Sequence, residues 1–300
     1  MSAALHLQAS HDASMAVFVQ RQLMAGIPYI PISQLTGKVA IITGSNIGLG
    51  LEASKQMLQL GLARLIMAVR SPAKGNLAAT ELRRVFPRAQ IDIWALDMDS
   101  YTSIIDFATR CRKTLARLDI VVLNAGSWNA QFRRNEATGH ESTLQVNYLS
   151  TVLLAIFLLS VLKTAHSAGQ PGRLSIVGSD TAYTTRIEIP LSRAVIASLD
   201  MEDGYRGMEQ YSQTKLLLVM FVSKLVGFVD ARNVVVNVVH PGLIKGTSFF
   251  ATEEQNLIYK LGMSTIGRSI RDGARTYLVA TALLGSESHG SIVAHGAIRA

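Results

Sequence analysis

Tyr211 and Lys215 lie four residues apart in the run Tyr211-Ser-Gln-Thr-Lys215, so on a helix they share one face. A phenol ionises near pH 10 (about 10 in model peptides) and is a poor base at neutral pH. A neighbouring ammonium favours the phenolate and brings the group into the range where it can exchange a proton with an oxygen. Ser179 ends the run RLSIVGS, where its hydroxyl can donate to an oxygen that is gaining charge; a plain turn serine is the alternative. Far upstream, an apolar run ends in Thr43-Gly44-Ser45-Asn46-Ile47-Gly48-Leu49-Gly50. Gly44 permits a tight turn, Gly48 lets backbone approach a pyrophosphate, and Gly50 lets a following helix pack against the strand. Ser45, Asn46 and Ile47 fill the loop between them, and the helix N-terminus offers unpaired N–H groups and a positive dipole end to phosphates. Strand before and helix after turn a common glycine turn into a dinucleotide site.

These groups need a frame to hold them, and the patterning supplies one. Short β-rich runs stand at 38–43, 64–69, 91–96, 119–123, 173–177 and 234–239. Between them, apolar residues recur at helical spacing, as in Ile104, Ala108, Cys111 and Leu115. Strands of nearly continuous Val, Ile and Leu alternating with helices predict an α/β fold with a doubly wound parallel sheet of the Rossmann type. Residues 1–37 stand apart as an N-terminal arm, with a short helix over Met15 to Ala25 and an extended stretch around Pro28 and Pro31. No linker divides 38–300, so one catalytic domain is expected.

The residue about 20 positions past the last loop glycine selects among dinucleotides. An acidic residue there accepts from a ribose hydroxyl and repels a phosphate. This chain has Arg70, with Lys74 nearby, and a guanidinium matches a 2′-phosphate bidentately. NADP(H) is the expected cofactor, unless Arg70 is only a surface arginine at a strand end.

Composition narrows the remaining classes. With 49% hydrophobic and 17% charged residues, the chain is neither disordered nor a coiled coil. The net charge of +8 raises nucleic-acid binding, but the Lys and Arg residues fall in scattered pairs without interleaved aromatics, so no nucleic-acid partner is expected. Cys111 is the only cysteine and the seven histidines show no paired metal-ligand spacing, so neither a disulfide nor a metal is expected. The apolar run 149–162 reads as a buried helix rather than a membrane span, and residues 1–14 lack a secretory pattern. Together these point to a cytoplasmic protein.

The series TGSNIGLG, Asp97 after the third strand, Leu123-Asn124-Ala125-Gly126 after the fourth, and the Tyr211–Lys215 run resembles the short-chain dehydrogenase/reductase family, single-domain branch. The likeness runs from about Leu35 to Gly290, and is greatest to retinol-dehydrogenase-like members and fungal biosynthetic reductases. It implies that Tyr211 exchanges the proton, that Lys215 also meets the nicotinamide ribose, and that Asn147 in QVNYLS holds a water in a proton relay; a packing asparagine is the alternative. It further implies Asp97 near the adenine, Asn124 and Gly126 along the adenosine ribose, and Pro241-Gly242 beside the nicotinamide. The departures are specific. Ser179 and Tyr211 stand unusually far apart, so 180–210 reads as a substrate-facing insertion. Gly178 replaces a frequent serine, His240 a usual asparagine, and Gly246 a hydroxyl residue, with Thr247 one step late as the amide-side contact. Little chain after residue 290 remains to cover a substrate. Trp94 is expected in the core; Trp128 either borders the substrate or packs in its loop.

The expected activity is hydride transfer between NADP(H) and a carbonyl or alcohol of a hydrophobic small molecule, such as a secondary-metabolite intermediate. The alternatives are a cofactor-binding sensor or scaffold without turnover, and NAD-dependent alcohol oxidation. The segments 149–162 and 216–229 are apolar nearly all round, which predicts a two-fold dimer through those helices unless the arm or the insertion covers them.

Overall fold

Val39–Thr43, with every residue buried, forms the central strand β1. It pairs in parallel with β2 (Arg64–Val69) on one side and β4 (Ile120–Leu123) on the other, with Ile41 opposite Ile66 and Val121. The computed structural model describes residues 14–164, 170–188, 194–247, 249 and 265–299. The first 13 residues of the expected arm and residues 189–193 of the expected insertion lie outside them. With β3 (Gln90–Ala95), β5 (Gly172–Val177), β6 (Val234–His240), β7 (Ile292–Ala294) and β8 (Ala297–Arg299), the sheet order is β3-β2-β1-β4-β5-β6-β7-β8. All neighbours are parallel except the β7–β8 hairpin. The order reverses between β1 and β4, and the crevice beyond the carboxyl ends of strands at such a reversal is where α/β sheets bind ligands.

Successive strand residues point to opposite faces, so each strand feeds two cores. Ile41, Ile66, Val121, Leu174 and Val236 face α4 (Tyr101–Thr114), α6 (Thr151–Thr164) and α8 (Gly207–Leu225). Ala40, Ile42, Leu65 and Val122 face α2 (Gly48–Gln59), α3 (Pro72–Val85) and α9 (Ile270–Leu278). Trp94 is buried in the first core, edge-on to Phe107 and under the Arg110 guanidinium. Cys111 is buried there as well, and burial pushes its thiol up to about 12.

Three boundaries differ from the sequence expectation. The helix containing 149–162 starts earlier, with α5 (Ser142–Leu144) and a π-helical segment (Gln145–Ser150) leading directly into α6. The resulting 22-residue stretch Ser142–Lys163 is long and apolar enough to cross a membrane, yet 61% of its apolar window is buried inside the fold. The apolar run 216–229 is not all helix: α8 stops at Leu225, and Gly227 and Phe228 turn back on Lys224 and Leu225. Finally, β7 and β8 were missed, because three-residue strands around the turn at His295 and Gly296 carry no readable period.

The described part of the arm opens with α1 (Met15–Met24). The described part of the arm binds elsewhere than α6 and α8: its hydrogen bonds run to Leu243, Ile266 and Arg268, while Leu35 donates its N–H to the Leu60 carbonyl. The expected insertion, as far as it is described, forms a 3-10 turn at Asp180–Tyr183 and a helix, α7 (Val195–Leu199).

Candidate active site

The glycine loop joins β1 to α2 with Gly44 at φ 64° and Gly48 at φ 57°, both in the left-handed region that favours glycine. A Cβ on Gly48 would meet nothing within 4 Å, so that backbone is open on the crevice side. A Cβ on Gly50 would stand 2.6 Å from Asn124 Nδ2 and 2.7 Å from the Gly44 carbonyl oxygen, which enforces close helix–strand packing. Ile47, the N-cap of α2, makes no side-chain capping bond and is exposed, leaving the first N–H groups of the helix to an external acceptor. Ser45 is buried and its hydroxyl donates to the Ile42 carbonyl, so only its backbone can serve a phosphate. Asn46 is half-buried in the same loop.

Asn124 is spent on the scaffold. Its Nδ2 donates to the Thr43 carbonyl, and its Oδ1 accepts from the Tyr277 hydroxyl at 3.0 Å. Thr43 Oγ1 in turn accepts from the N–H groups of Asn124 and Ala125, locking the two strand ends together. Asp97 follows β3 and turns its carboxylate onto the Asp99 N–H. Arg70 follows β2 directly and Lys74 lies in the first turn of α3; both are exposed. Gly126 lies near the centre of the site: a Cβ there would be 3.2 Å from Asn147 Oδ1 and 3.8 Å from Lys215 Nζ. These features fit a dinucleotide laid from the α2 N-terminus toward Lys215, with cationic groups at its adenosine end.

Tyr211 and Lys215 occupy one buried face of α8, and the ammonium lies 5.5 Å from the phenol ring centre. Burial pushes the phenol up to about 12; the hydrogen bond from Ser179 works against that shift and the Asp180 charge adds to it. Burial alone pushes the Lys215 ammonium down to about 8, while its Nζ donates to the Val177 carbonyl at 2.8 Å. Phe249 meets the Tyr211 ring edge-on. Asn147 sits within the π-helical segment, a distortion frequent at functional sites. Its Nδ2 donates to the Ser127 carbonyl and to Thr214 Oγ1, and its Oδ1 accepts from the Ser127 N–H. With its amide hydrogens committed, a water here would be held through acceptor oxygens. The structure therefore gathers Asn147, Ser179, Tyr211 and Lys215 at the carboxyl ends of β4 and β5.

Two of the sequence departures are explained by one contact. A Cβ at Gly178 would stand 2.5 Å from His240 Nε2, so the imidazole fills the space that a serine would need. His240 Nδ1 lies 3.5 Å from Asp180 Oδ1, and His295 Nε2 lies 3.9 Å from the same oxygen. Burial opposes ionisation of Asp180, but the two imidazoles and Arg268 hold its carboxyl below the ordinary range. Burial pushes His295 down to about 4. Among the described residues no group of three His, Cys, Asp or Glu side chains is placed to hold a metal ion. Pro241 and Gly242 follow β6, with Gly242 at φ 85°, and Thr247 lies half-buried just past Gly246.

Sequence reading missed Glu141. Its fully buried carboxylate accepts from the Thr143 and Leu144 N–H groups and from Gln210 Nε2, the residue before Tyr211. The insertion is fastened beside it: Asp200 accepts from the Glu141 N–H and pairs with His140 Nδ1 at 2.6 Å. The Tyr205 hydroxyl donates to the Asn129 carbonyl. A cavity of about 470 Å³ runs between Thr184–Glu188 and α8 at Met208, Glu209, Ser212 and Gln213, and neither Ser179 nor Tyr211 lines it. Trp128 is half-buried in the loop after β4.

A family model described as short chain dehydrogenase matches residues 38–190. The short chain dehydrogenase opdN of Penicillium oxalicum is 43% identical, with 99% of each chain covered. The short chain dehydrogenase virL of Hypocrea virens is 44% identical over all of this chain and 88% of its own length. Among solved structures, a putative short-chain alcohol dehydrogenase from Sinorhizobium meliloti aligns at a TM-score of 0.69 and 18% identity, over 89% of this chain and 98% of that one. A putative short chain dehydrogenase from Shigella flexneri complexed with NADP aligns at 0.63 and 18%, over 89% and 100%. At such identities these two speak for the fold.

Proposed function

The chain belongs to the short-chain dehydrogenase/reductase family, and from that premise we propose that it is an NADP(H)-dependent carbonyl reductase acting on a hydrophobic small molecule. The observation that carries the reading is the convergence of Ser179, Tyr211 and Lys215 on one crevice, with Asn147 tied into it through Ser127 and Thr214. Arg70 and Lys74 are the groups that would take the 2′-phosphate, and the backbone at Gly44, Gly48 and Gly50 would cradle the pyrophosphate. When bound, NADP(H) supplies or accepts the hydride.

Every other part of the step belongs to side chains. Tyr211 holds a proton on its phenol oxygen at neutral pH, because burial keeps its ionisation far above that range. It gives that proton to the substrate oxygen as negative charge develops there, and Ser179 donates a second hydrogen bond to the same oxygen. Lys215 stabilises the phenolate left behind. Asn147 keeps the loop after β4 fixed against α8, so that the groups meet in one geometry. Phe249 against the Tyr211 ring gives the site an apolar wall, which favours a hydrophobic substrate. Relatives from fungi at over 40% identity support a biosynthetic setting. Exposed apolar residues on α6 and α8 support a homodimer.

The test is NADPH consumption in the presence of aromatic and polyketide-like ketones. Turnover is expected with at least one of them, and Tyr211→Phe should retain NADPH binding while losing about 100-fold or more in rate. A Tyr211→Phe protein with near-normal turnover would overturn the assignment. Tight NADPH binding with no turnover on any ketone would favour a sensor or scaffold instead.

A further inference from the structure

The arm has no evident duty in a Rossmann sheet, yet its helix buries a glutamine amide. Gln22 is 3% exposed, and its Oε1 accepts from the Leu243 N–H at 3.2 Å. Its Nε2 donates to the Leu243 carbonyl at 2.6 Å and to the Ile266 carbonyl at 3.3 Å. The amide therefore pairs with Leu243 as a neighbouring β-strand would, on both its donor and its acceptor. The turn itself fits around it, since a Cβ on Gly242 would stand 2.7 Å from Gln22 Oε1.

A second residue locks the same assembly from the other direction. Arg268 is 8% exposed, and its guanidinium donates to the carbonyls of Arg21, Gln22 and Ala25 at 2.6, 3.1 and 3.0 Å. Those are the last carbonyls of α1, where unpaired acceptors and the negative dipole end favour a cation. The Arg268 backbone meanwhile donates to the Leu243 carbonyl and accepts from the Lys245 N–H, forming a parallel bridge with Ile244. Arm, turn and the segment at 266–268 thus make one hydrogen-bonded unit.

The place of this turn gives the unit a function. On one side, Ile244 and Leu49 of the glycine-loop helix both crowd Gly273, 2.4 and 2.9 Å from where its Cβ would be. On the other, His240 stands against Gly178 and Asp180, the two neighbours of Ser179. A dinucleotide bound from the α2 N-terminus to Tyr211 would pass between these points, and residues 241–245 would then flank it. We infer that Gln22 is a positioning residue for the cofactor: through the Leu243 backbone, the N-terminal arm fixes the wall against which the reactive half of NADP(H) rests. The inference rests on the NADP(H) reading above.

Two ligands separate a local effect from a global one. NADPH spans the whole crevice, whereas adenosine 2′,5′-bisphosphate occupies only the end near Arg70. Dissociation constants for both are measured by titration calorimetry on the full chain, first for the wild type and then for Gln22→Met, which keeps length and apolar bulk but removes the amide. Losing the paired bonds to Leu243 should weaken NADPH about tenfold. The bisphosphate should bind as tightly as to the wild type. Equal NADPH affinity in a folded Gln22→Met protein overturns the inference, as does parallel weakening of both ligands. Should Gln22→Met fail to fold, Arg268→Lys, which keeps the charge and loses most of the carbonyl contacts, is read by the same ratio. A wild-type protein that binds neither ligand defeats the cofactor reading itself, and the inference with it.

Discussion

Burial of Lys215 places two opposed demands on one ammonium: charge supports the phenolate of Tyr211, but the fold bears the cost of desolvating it. Below about pH 8 the folded protein holds that charge and carries the full cost. As pH rises toward 10.5 the native lysine is neutral while the unfolded one remains charged, so the cost fades. Lys215→Met should therefore abolish turnover yet melt at a higher temperature than the wild type below pH 8, and lose that advantage between pH 8 and 10.5. Scanning calorimetry of both proteins across pH 7–11 checks this, and a constant difference across that range would contradict it. Arg70 is a simpler case. Arg70→Asp should weaken NADPH about tenfold or more while sparing NADH, since a charge-assisted contact is exchanged for repulsion. Equal losses for the two cofactors would make Arg70 structural. The placement of Tyr211 and Lys215 on one helix face and of Arg70 at the end of β2 was legible because each stands at a fixed offset from a motif. Glu141 and Gln22 were not, because their partners Gln210 and Leu243 lie 69 and 221 residues away.

At the scale of elements, Glu141 ties three of them: it caps α5, binds the first turns of α8 through Gln210, and lies beside the insertion residues Asp200 and Tyr205. Removing one side of a buried, fully bonded carboxylate leaves several donors unpaired. Glu141→Ala should cost about 2–4 kcal/mol of stability, read by urea unfolding. It should also speed proteolytic cutting within 184–206, because the insertion loses part of its anchorage. Unaltered stability would show that the neighbours re-pair without it. Strands β1, β2, β4, β5 and β6 were readable because their apolar runs are buried on both faces, and the edge strand β3 because Ile91, Ile93 and Trp94 stand out between polar neighbours. The π-helical segment was not, since nothing in QVNYLS departs from an ordinary helical pattern. The end of α8 was misread because its apolar run continues through Gly227 and Phe228, and hydrophobicity does not mark where a helix stops.

For the whole molecule, the faces of α6 and α8 pose the question of assembly. Ile156 is 50% exposed and Met220 53%, while the described arm packs elsewhere. A two-fold pairing of these helices predicts a mass of about 65 kDa in light scattering, twice the 32.5 kDa chain. Ile156→Glu should shift the protein to monomer without altering NADPH affinity. A wild-type monomer at micromolar concentration would refute the pairing. The doubly wound sheet was legible as a whole, whereas the docking of the arm was not, because an isolated Gln and Arg leave no periodic trace.

That docking has a consequence for how the protein comes into being. Arg268 grips carbonyls of α1 from a position 246 residues later in the chain. A ribosome adding about 5–20 residues per second leaves the arm waiting on the order of tens of seconds before its clasp is synthesised. For most of that interval residues 241–245 are themselves unmade, so the earlier strands can pair before any part of the wall beside the crevice exists. The nascent chain can therefore pair β1 to β5 well before it gains a finished cofactor crevice.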